Sequence, residues 1–134
     1  MPLRAIIDGQ EIIAPLLDDA AWEALRHRVT DEHLRVVLPC CDVEGYLRRN
    51  QHGTQHFAHK VSTDCLSKGE TVEHLRAKAE IVVACHASGY EASTEVAGEN
   101  WRADVLATRG TGRIAFEVQW SFLRLRDVLY RQRR

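Results

Sequence analysis

The sequence predicts an α/β fold of the α+β type, in which a mixed sheet is flanked by helices and joined to a small Cys/His-rich hairpin module. Short apolar segments with period-two alternation occur beside longer segments with helical periodicity. The composition also changes near Ser67, where a Cys/His-rich half gives way to a half of alternating strand and helix patterns. We therefore expect an N-terminal hairpin and short helix over residues 1–38, the Cys/His module over 39–66 and the main core over 67–134.

In the N-terminal half, turn and capping residues indicate where the elements lie. RAIIDGQEIIA predicts a hairpin around Asp8 and Gly9, because Asp-Gly suits a two-residue turn. Asp18 and Asp19 are typical N-cap residues for a short helix over DDAAWEALRHRV. LRVVLP predicts a strand, and residues 40–60 predict a small hairpin.

In the C-terminal half, the longest helix is predicted over about Thr71 to Ala87, and Gly89 is expected to end it. YEASTEV predicts the next strand, followed by a turn at GEN. RADV and FEVQWS then predict two strands joined by a Gly-rich hairpin turn, TRGTGR. FLRLRDVLYRQRR predicts a closing helix.

The bulk composition limits the classes of protein to consider. Hydrophobic residues make up 45% of the 134 residues and charged residues 28%, as in soluble globular domains. No apolar run approaches the roughly 18–20 residues that span a membrane, and the N-terminus lacks the pattern of a signal peptide. We therefore expect a cytoplasmic protein with no membrane partner, in which the four cysteines serve as core residues or metal ligands. A net charge of −1 argues against coating nucleic acid by bulk charge but leaves room for a local basic groove.

Two acids interrupt the apolar pattern of the last two strands. Asp104 lies between Ala103 and Val105, and Glu117 lies between Phe116 and Val118. If the two strands pair, Asp104 and Glu117 can meet on one face and hold a divalent metal between hard oxygen ligands. The acids therefore favour a metal site over a solvent-facing edge.

A second constellation of potential ligands lies between residues 40 and 65. Cys40 or Cys41, together with His56, His59 and Cys65, would supply the nitrogen and sulfur ligands that zinc prefers. Because adjacent cysteines do not easily approach one ion, we expect only one of the first pair to bind. The alternative is that the cysteines are buried and the histidines pack or hydrogen-bond locally.

The long helix carries polar residues on two stripes. Glu73 and Glu80 lie seven residues apart and therefore on the same side of the helix, with Arg76 between them. This arrangement is also typical of a solvent-exposed face with ion pairs along the helix. His74 and Lys78 lie on a second stripe among apolar neighbours, where they either belong to a site or extend to solvent at the edge of the core. Glu95 and Glu91 lie four positions apart in one predicted strand, so their side chains point to the same face. This favours a solvent-facing position for Glu95.

Four motifs occur in a fixed order, HFAH, EHLRAK, RADVLATRG and AFEVQWS. In this order they resemble the competence protein CoiA-like family, whose nuclease domain belongs to the PD-(D/E)xK class. The resemblance extends from about Pro39 to Ser121 and implies a restriction-endonuclease-like core. Asp104, Glu117, Gln119 and Glu73 are then the expected catalytic residues, with Asp104 and Glu117 binding Mg²⁺ or Mn²⁺.

The chain departs from the pattern of its relatives at three points. Gln119 occupies the place of a lysine in the broader class, although glutamine is usual in the CoiA-like family. The zinc-binding turn of the family usually reads C-P-x-C, whereas this chain has PCC. Which residues of the Cys/His module bind zinc is therefore left open. The class also adds a strand after the final helix, so we expect a partner or a further C-terminal segment to complete the fold.

The leading hypothesis is therefore a metal-dependent nuclease acting on DNA phosphodiester bonds, with DNA as the partner. The expected phosphate or substrate contacts come from basic side chains, namely Arg102, Arg48, Arg49, Lys60, His74 and Lys78. One alternative is a non-catalytic nucleic-acid-binding module with a degenerate nuclease fold. Another is a zinc-stabilised interaction domain.

Overall fold

The computed structural model describes residues 2–61 and 70–118 of the chain. Within these residues the fold is α+β, with two α-helices and two sheets whose strands pair antiparallel. This confirms the predicted fold class and is consistent with a restriction-endonuclease-like core. The predicted closing helix lies outside the described residues.

The first sheet contains five strands in the order β2-β1-β3-β4-β5. These strands are β1 (Arg4–Ile7), β2 (Gln10–Ile13), β3 (Val36–Leu38), β4 (Val43–Arg49) and β5 (Gln55–His59). The turn between β1 and β2 has φ angles of 52° at Asp8 and 75° at Gly9, as a two-residue hairpin turn requires. The predicted domain boundary after residue 38 falls between β3 and β4, which pair through Val37 and Glu44.

The first helix, α1 (Asp19–Asp31), packs its apolar residues on this sheet. The Asp18 carboxylate accepts a 2.7 Å hydrogen bond from the Ala21 amide, which confirms the predicted N-cap. Trp22 and Phe57 lie with ring centroids 5.5 Å apart, and both side chains are buried. A core of aromatic and aliphatic side chains therefore covers one face of the five strands.

The second helix, α2 (Val72–Ala87), begins and ends at the predicted residues. The Thr71 hydroxyl accepts a hydrogen bond from the His74 amide at the N-terminus. At the C-terminus Gly89 has a φ of +87°, a conformation that glycine adopts without steric cost.

The second sheet contains three described strands, β6 (Glu91–Ala97), β7 (Arg102–Arg109) and β8 (Gly112–Phe116). Val105 of β7 packs with Val82 of α2 and with Ile13 of β2, so this core connects the sheet to the rest of the protein. The predicted β7–β8 pairing is confirmed, but the turn is shorter than predicted. Only Gly110 and Thr111 separate the strands, and β8 ends at Phe116. Neither described helix combines the length and the apolar character needed to cross a membrane.

Candidate active site

Three acidic residues, Glu95, Asp104 and Glu117, form an acidic row at one end of the second sheet. The pairs on either side of Glu95, Thr94 with Val105 and Val96 with Ala103, leave Glu95 opposite Asp104. On the other side of β7, the last pair with β8 is Val105 with Phe116, and Asp104 and Glu117 each lie one residue beyond that pair. Glu117 therefore follows the end of β8, whereas the sequence predicts it within a paired strand.

Asp104 is bound to the backbone that follows Glu117. Its Oδ2 accepts a 2.8 Å hydrogen bond from the Val118 amide. The Asp104 side chain is 17% exposed, so it is screened from bulk water without being sealed from it. This hydrogen bond closes the end of the β7–β8 hairpin and places the Val118 peptide beside the carboxylate.

His74, in the first turns of α2, reaches the same place from the helix. Its Nε2 lies 3.0 Å from the carbonyl oxygen of Val118 and 3.4 Å from Oδ2 of Asp104. Its Nδ1 makes a short hydrogen bond with Oε2 of Glu70. Both ring nitrogens therefore face oxygen atoms, and the imidazole connects Glu70 to the strand ends.

Lys78, one turn further along α2, is buried between two carboxylates. Its side chain is 1% exposed, and its Nζ lies 2.8 Å from Glu70 Oε2 and 3.1 Å from Glu95 Oε1. Burial by itself would lower the pKa of Lys78, but the charges of Glu95 and Glu70 raise the pKa above its ordinary value of 10.5. The ammonium group is therefore held charged and fixes both acids.

Glu95 is buried, so the interpretation of it as a solvent-facing residue is wrong. Its side chain is 4% exposed, and its Oε1 also accepts a 2.6 Å hydrogen bond from the Leu3 amide. Its φ of +49° departs from the extended backbone on which the period-two argument depends. The tertiary partners Lys78 and Leu3, which strand periodicity does not reveal, explain why the carboxylate is buried.

Glu73 is not part of this cluster. It is exposed on α2, and the acid that contacts His74 and Lys78 is Glu70. Glu70, His74 and Lys78 are spaced four residues apart, which is the sequence signal that would have identified Glu70. Gln119, the other predicted catalytic residue of this region, lies outside the described residues.

The predicted phosphate-binding side chains are spread over both sheets. Arg102 is exposed on β7, two residues before Asp104, and strand alternation puts it on the Asp104 face. Arg48, Arg49 and Lys60 lie in or just after the β4–β5 hairpin and are exposed. Arg49 Nη2 lies 3.3 Å from a carboxylate of α1, and Lys60 Nζ lies 2.9 Å from a carboxylate of β4.

The Cys/His module brings Cys40, Cys41 and His59 together. One ligand atom from each of them lies within 4.8 Å of the others. The two Sγ atoms are 3.6 Å apart, and Cys40 Sγ lies 3.9 Å from His59 Nε2. The cysteines occupy the turn between β3 and β4, where Asp42 has a φ of +57°. The argument that adjacent cysteines cannot both approach one ion therefore does not hold in this turn.

His56 does not join this cluster, although the sequence suggested it as a ligand. It is separated from His59 by three positions of β5, so strand alternation points the two side chains to opposite faces. The His56 ring is fully buried, and its Nδ1 lies 3.1 Å from the Thr54 carbonyl oxygen. Burial lowers the pKa of His56, while the hydrogen bond to Thr54 opposes that change. Cys65 lies outside the described residues.

Comparison with known proteins gives one family assignment. Residues 70–134 match the family described as competence protein CoiA, nuclease-like domain. Neither the curated proteins nor the solved structures gave a match. The matched segment contains α2 and the three described strands of the second sheet, including Glu70, His74, Lys78 and the acidic row. Residues 70–134 of the chain are therefore similar to the nuclease-like domain of competence protein CoiA.

Proposed function

We propose that the protein is a metal-dependent nuclease of the PD-(D/E)xK class that hydrolyses phosphodiester bonds of DNA. The main supporting observation is the end of the β7–β8 ladder, where Asp104 and Glu117 each lie next to the last strand pair within a segment that matches a nuclease-like family. Glu117, Val118 and Gln119 would then correspond to the last three positions of the class motif. A nucleic-acid substrate follows from the same family match.

The residues beside Asp104 fit a hard divalent cation. A carboxylate from Asp104, the carboxylate of Glu117 and the carbonyl oxygen of Val118 offer the oxygen ligands that Mg²⁺ and Mn²⁺ take. The Val118 amide uses one lone pair of Asp104 Oδ2, and the remaining lone pairs of that carboxylate can bind an ion. The partial exposure of Asp104 agrees with a site that solvent and substrate can reach.

When bound, such an ion supplies an activated water molecule and offsets the negative charge that grows on the scissile phosphate. The protein's own residues do the positioning. Asp104 on β7 and Glu117 just after β8 would present their carboxylates to the ion. Gln119 would orient the water, because an amide can accept and donate hydrogen bonds but carries no charge. Arg102 lies on the Asp104 face and would contact the phosphate backbone.

The structure favours some of the remaining predicted DNA contacts more than others. Arg48 is exposed on β4. Arg49 and Lys60 each form an ion pair with a carboxylate of the protein, which a DNA phosphate would have to replace. Surface ion pairs contribute about 0–1 kcal/mol, so this exchange costs little. Lys78 is enclosed by Glu70 and Glu95, which favours a structural role for it instead of a DNA contact.

Cleavage assays on labelled single- and double-stranded DNA test the proposal. We expect cleavage that requires Mg²⁺ or Mn²⁺ and that Asp104→Asn or Glu117→Gln reduces by at least about a hundredfold. Glu91→Gln, which changes an exposed acid of β6, is the matched control and should cleave at the wild-type rate. DNA binding without cleavage under any metal would favour the non-catalytic module, and unchanged cleavage in both variants would reject the site.

We also propose that Cys40, Cys41 and His59 bind a structural zinc ion, with Cys65 as the expected fourth ligand. Zinc bonds of roughly 2.3 Å to sulfur and 2.0–2.1 Å to nitrogen require ligand atoms about 3.5–3.8 Å apart in a tetrahedral site. The Sγ–Sγ distance of 3.6 Å falls within this range, and the distance of 3.9 Å from Cys40 Sγ to His59 Nε2 slightly exceeds it. The ion would tie the β3–β4 turn to the end of β5.

A further inference from the structure

We propose that His74 is a nitrogen ligand of the metal ion held by Asp104 and the Val118 carbonyl, and that the site consequently prefers Mn²⁺ to Mg²⁺. This inference rests on the proposed metal-dependent function and specifies its metal. It also replaces the interpretation of His74 as a substrate contact with a different role.

The first argument is the convergence of three potential donors. His74 Nε2 lies 3.0 Å from the Val118 carbonyl oxygen and 3.4 Å from Asp104 Oδ2. Ligand atoms of one ion lie about 3 Å apart when metal–ligand bonds are roughly 2.0–2.2 Å long. The His74 nitrogen therefore lies at ligand-to-ligand spacing from each of two oxygens of the hairpin end.

The second argument is how the imidazole is held. Metal-binding histidines donate their second ring N–H to a carboxylate or a carbonyl, which selects the tautomer and aims the other nitrogen at the ion. Glu70 takes this role, since its Oε2 accepts from His74 Nδ1. Glu70 is itself 8% exposed and is fixed by Lys78 Nζ at 2.8 Å, so the orienting group is rigid.

The third argument separates a metal ligand from a phosphate contact. The His74 side chain is 19% exposed, and both of its ring nitrogens face protein oxygens. A histidine that binds phosphate needs an N–H directed to solvent. The His74 ring is directed into the strand ends instead.

A nitrogen ligand changes which metal binds well. Mg²⁺ takes oxygen ligands almost exclusively and keeps several waters, whereas imidazole suits first-row transition metals. We therefore expect Mn²⁺ to bind at least about tenfold more tightly than Mg²⁺, since it accepts both the hard oxygens and the imidazole.

Binding of Mn²⁺ to full-length protein that carries one equivalent of zinc and no excess, followed by electron paramagnetic resonance, tests this inference without an activity assay. Pulsed measurements on the bound Mn²⁺ should show coupling to a directly bound nitrogen. His74→Gln should remove that coupling and weaken Mn²⁺ binding by about tenfold to a hundredfold, with Mg²⁺ binding changed much less. His86→Gln, an exposed histidine of the same helix, is the matched control, and Asp104→Asn defines the background.

A second variant guards against misfolding of His74→Gln. Glu70→Gln keeps the imidazole but loses the carboxylate that orients it, and should weaken Mn²⁺ binding by about tenfold. Mn²⁺ that binds in an Asp104-dependent way without nitrogen coupling, and equally well to His74→Gln, would overturn the inference and leave the nuclease proposal standing. Absence of any Asp104-dependent Mn²⁺ binding would overturn both.

Discussion

The carboxylate of Asp104 accepts a 2.8 Å hydrogen bond from the amide of Val118, which ties the middle of β7 to the residue after Glu117. The bond gives Asp104 a structural task besides the proposed catalytic one. Repulsion between clustered acids would by itself predict that removing either acid leaves the protein equally stable or more stable. Because alanine at position 104 would leave the Val118 amide without its acceptor, this expectation does not hold for Asp104.

Asp104→Ala should therefore lower the melting temperature, whereas Asp104→Asn should retain it. Alanine leaves the Val118 amide without its partner, at a cost of about 1–3 kcal/mol, while asparagine keeps an acceptor oxygen. Glu117→Ala should leave the melting temperature unchanged or raise it. Thermal unfolding of the three variants, followed by circular dichroism, provides the measurement. Equal melting temperatures for the two Asp104 variants would show that the bond contributes nothing.

Lys78→Met should strongly destabilise the fold. It leaves Glu70 and Glu95 as buried carboxylates without their shared cation, and breaking a buried ion pair in this way costs about 3–5 kcal/mol. Lys60→Met is the control, because the exposed pair of Lys60 with Glu44 should contribute about 0–1 kcal/mol. Urea unfolding of both variants compares the costs. Similar losses in the two would contradict the assignment of Lys78 to a buried network.

His56 should make the protein less stable in acid. Because burial lowers the pKa of His56 in the folded state, the unfolded chain binds a proton that the folded chain does not. The stability that depends on neutral His56 is therefore present above the ordinary value of 6.5 and falls as the pH drops from 6.5 toward the lower folded-state pKa. The slope is at most about 1.4 kcal/mol per pH unit.

The matched comparison is between His56→Asn and His52→Asn, since His52 is exposed in the turn after β4. Unfolding free energies of each variant at pH 7.5 and pH 5.5 should show a smaller acid loss for His56→Asn than for the wild type. His52→Asn should behave as the wild type does. An acid loss that is the same in all three proteins would assign the effect to other groups.

Zinc analysis separates the ligands of the Cys/His cluster from its neighbours. Purified protein should carry about one equivalent of zinc, and Cys40→Ser, Cys41→Ser and His59→Gln should each lower the zinc content. His56→Asn should retain it. Chelation should speed hydrogen exchange in residues 40–60 and leave β7 protected, because β7 belongs to the other sheet. A fully folded protein without zinc would identify HFAH as a packing motif.

Much of the fold could be predicted because local signals agree with the tertiary structure. The Asp8-Gly9 turn and the Gly89 helix end depend on backbone conformations that few residues adopt, so they are visible in the sequence. Asp104 and Glu117 could be assigned to the same end of the β7–β8 hairpin because a short Gly-rich turn leaves little freedom in register. In each case the information lies within a few residues of the feature.

Glu70 and Glu95 could not be assigned in the same way. Glu70 precedes the N-cap Thr71, where helical spacing no longer strictly applies, so the helical pattern does not by itself group Glu70 with His74 and Lys78. Glu95 is buried through a positive φ and through partners on other elements, and strand alternation contains neither fact. Both acids are explained by Lys78, whose position between them depends on how α2 packs on the sheet.

The hydrogen bond from Leu3 to Glu95 joins positions 92 residues apart, and this separation bears on the order of folding. Contacts between distant positions close large loops and tend to form late. The helix α2 and the hairpin β7–β8 are local, so His74 and Asp104 can approach each other early. Glu95 receives its second partner only when the N-terminal strand docks. Refolding should therefore show early helix formation and a later step that completes burial of Glu95, with the N-terminal residues acting as the final support of the acidic row.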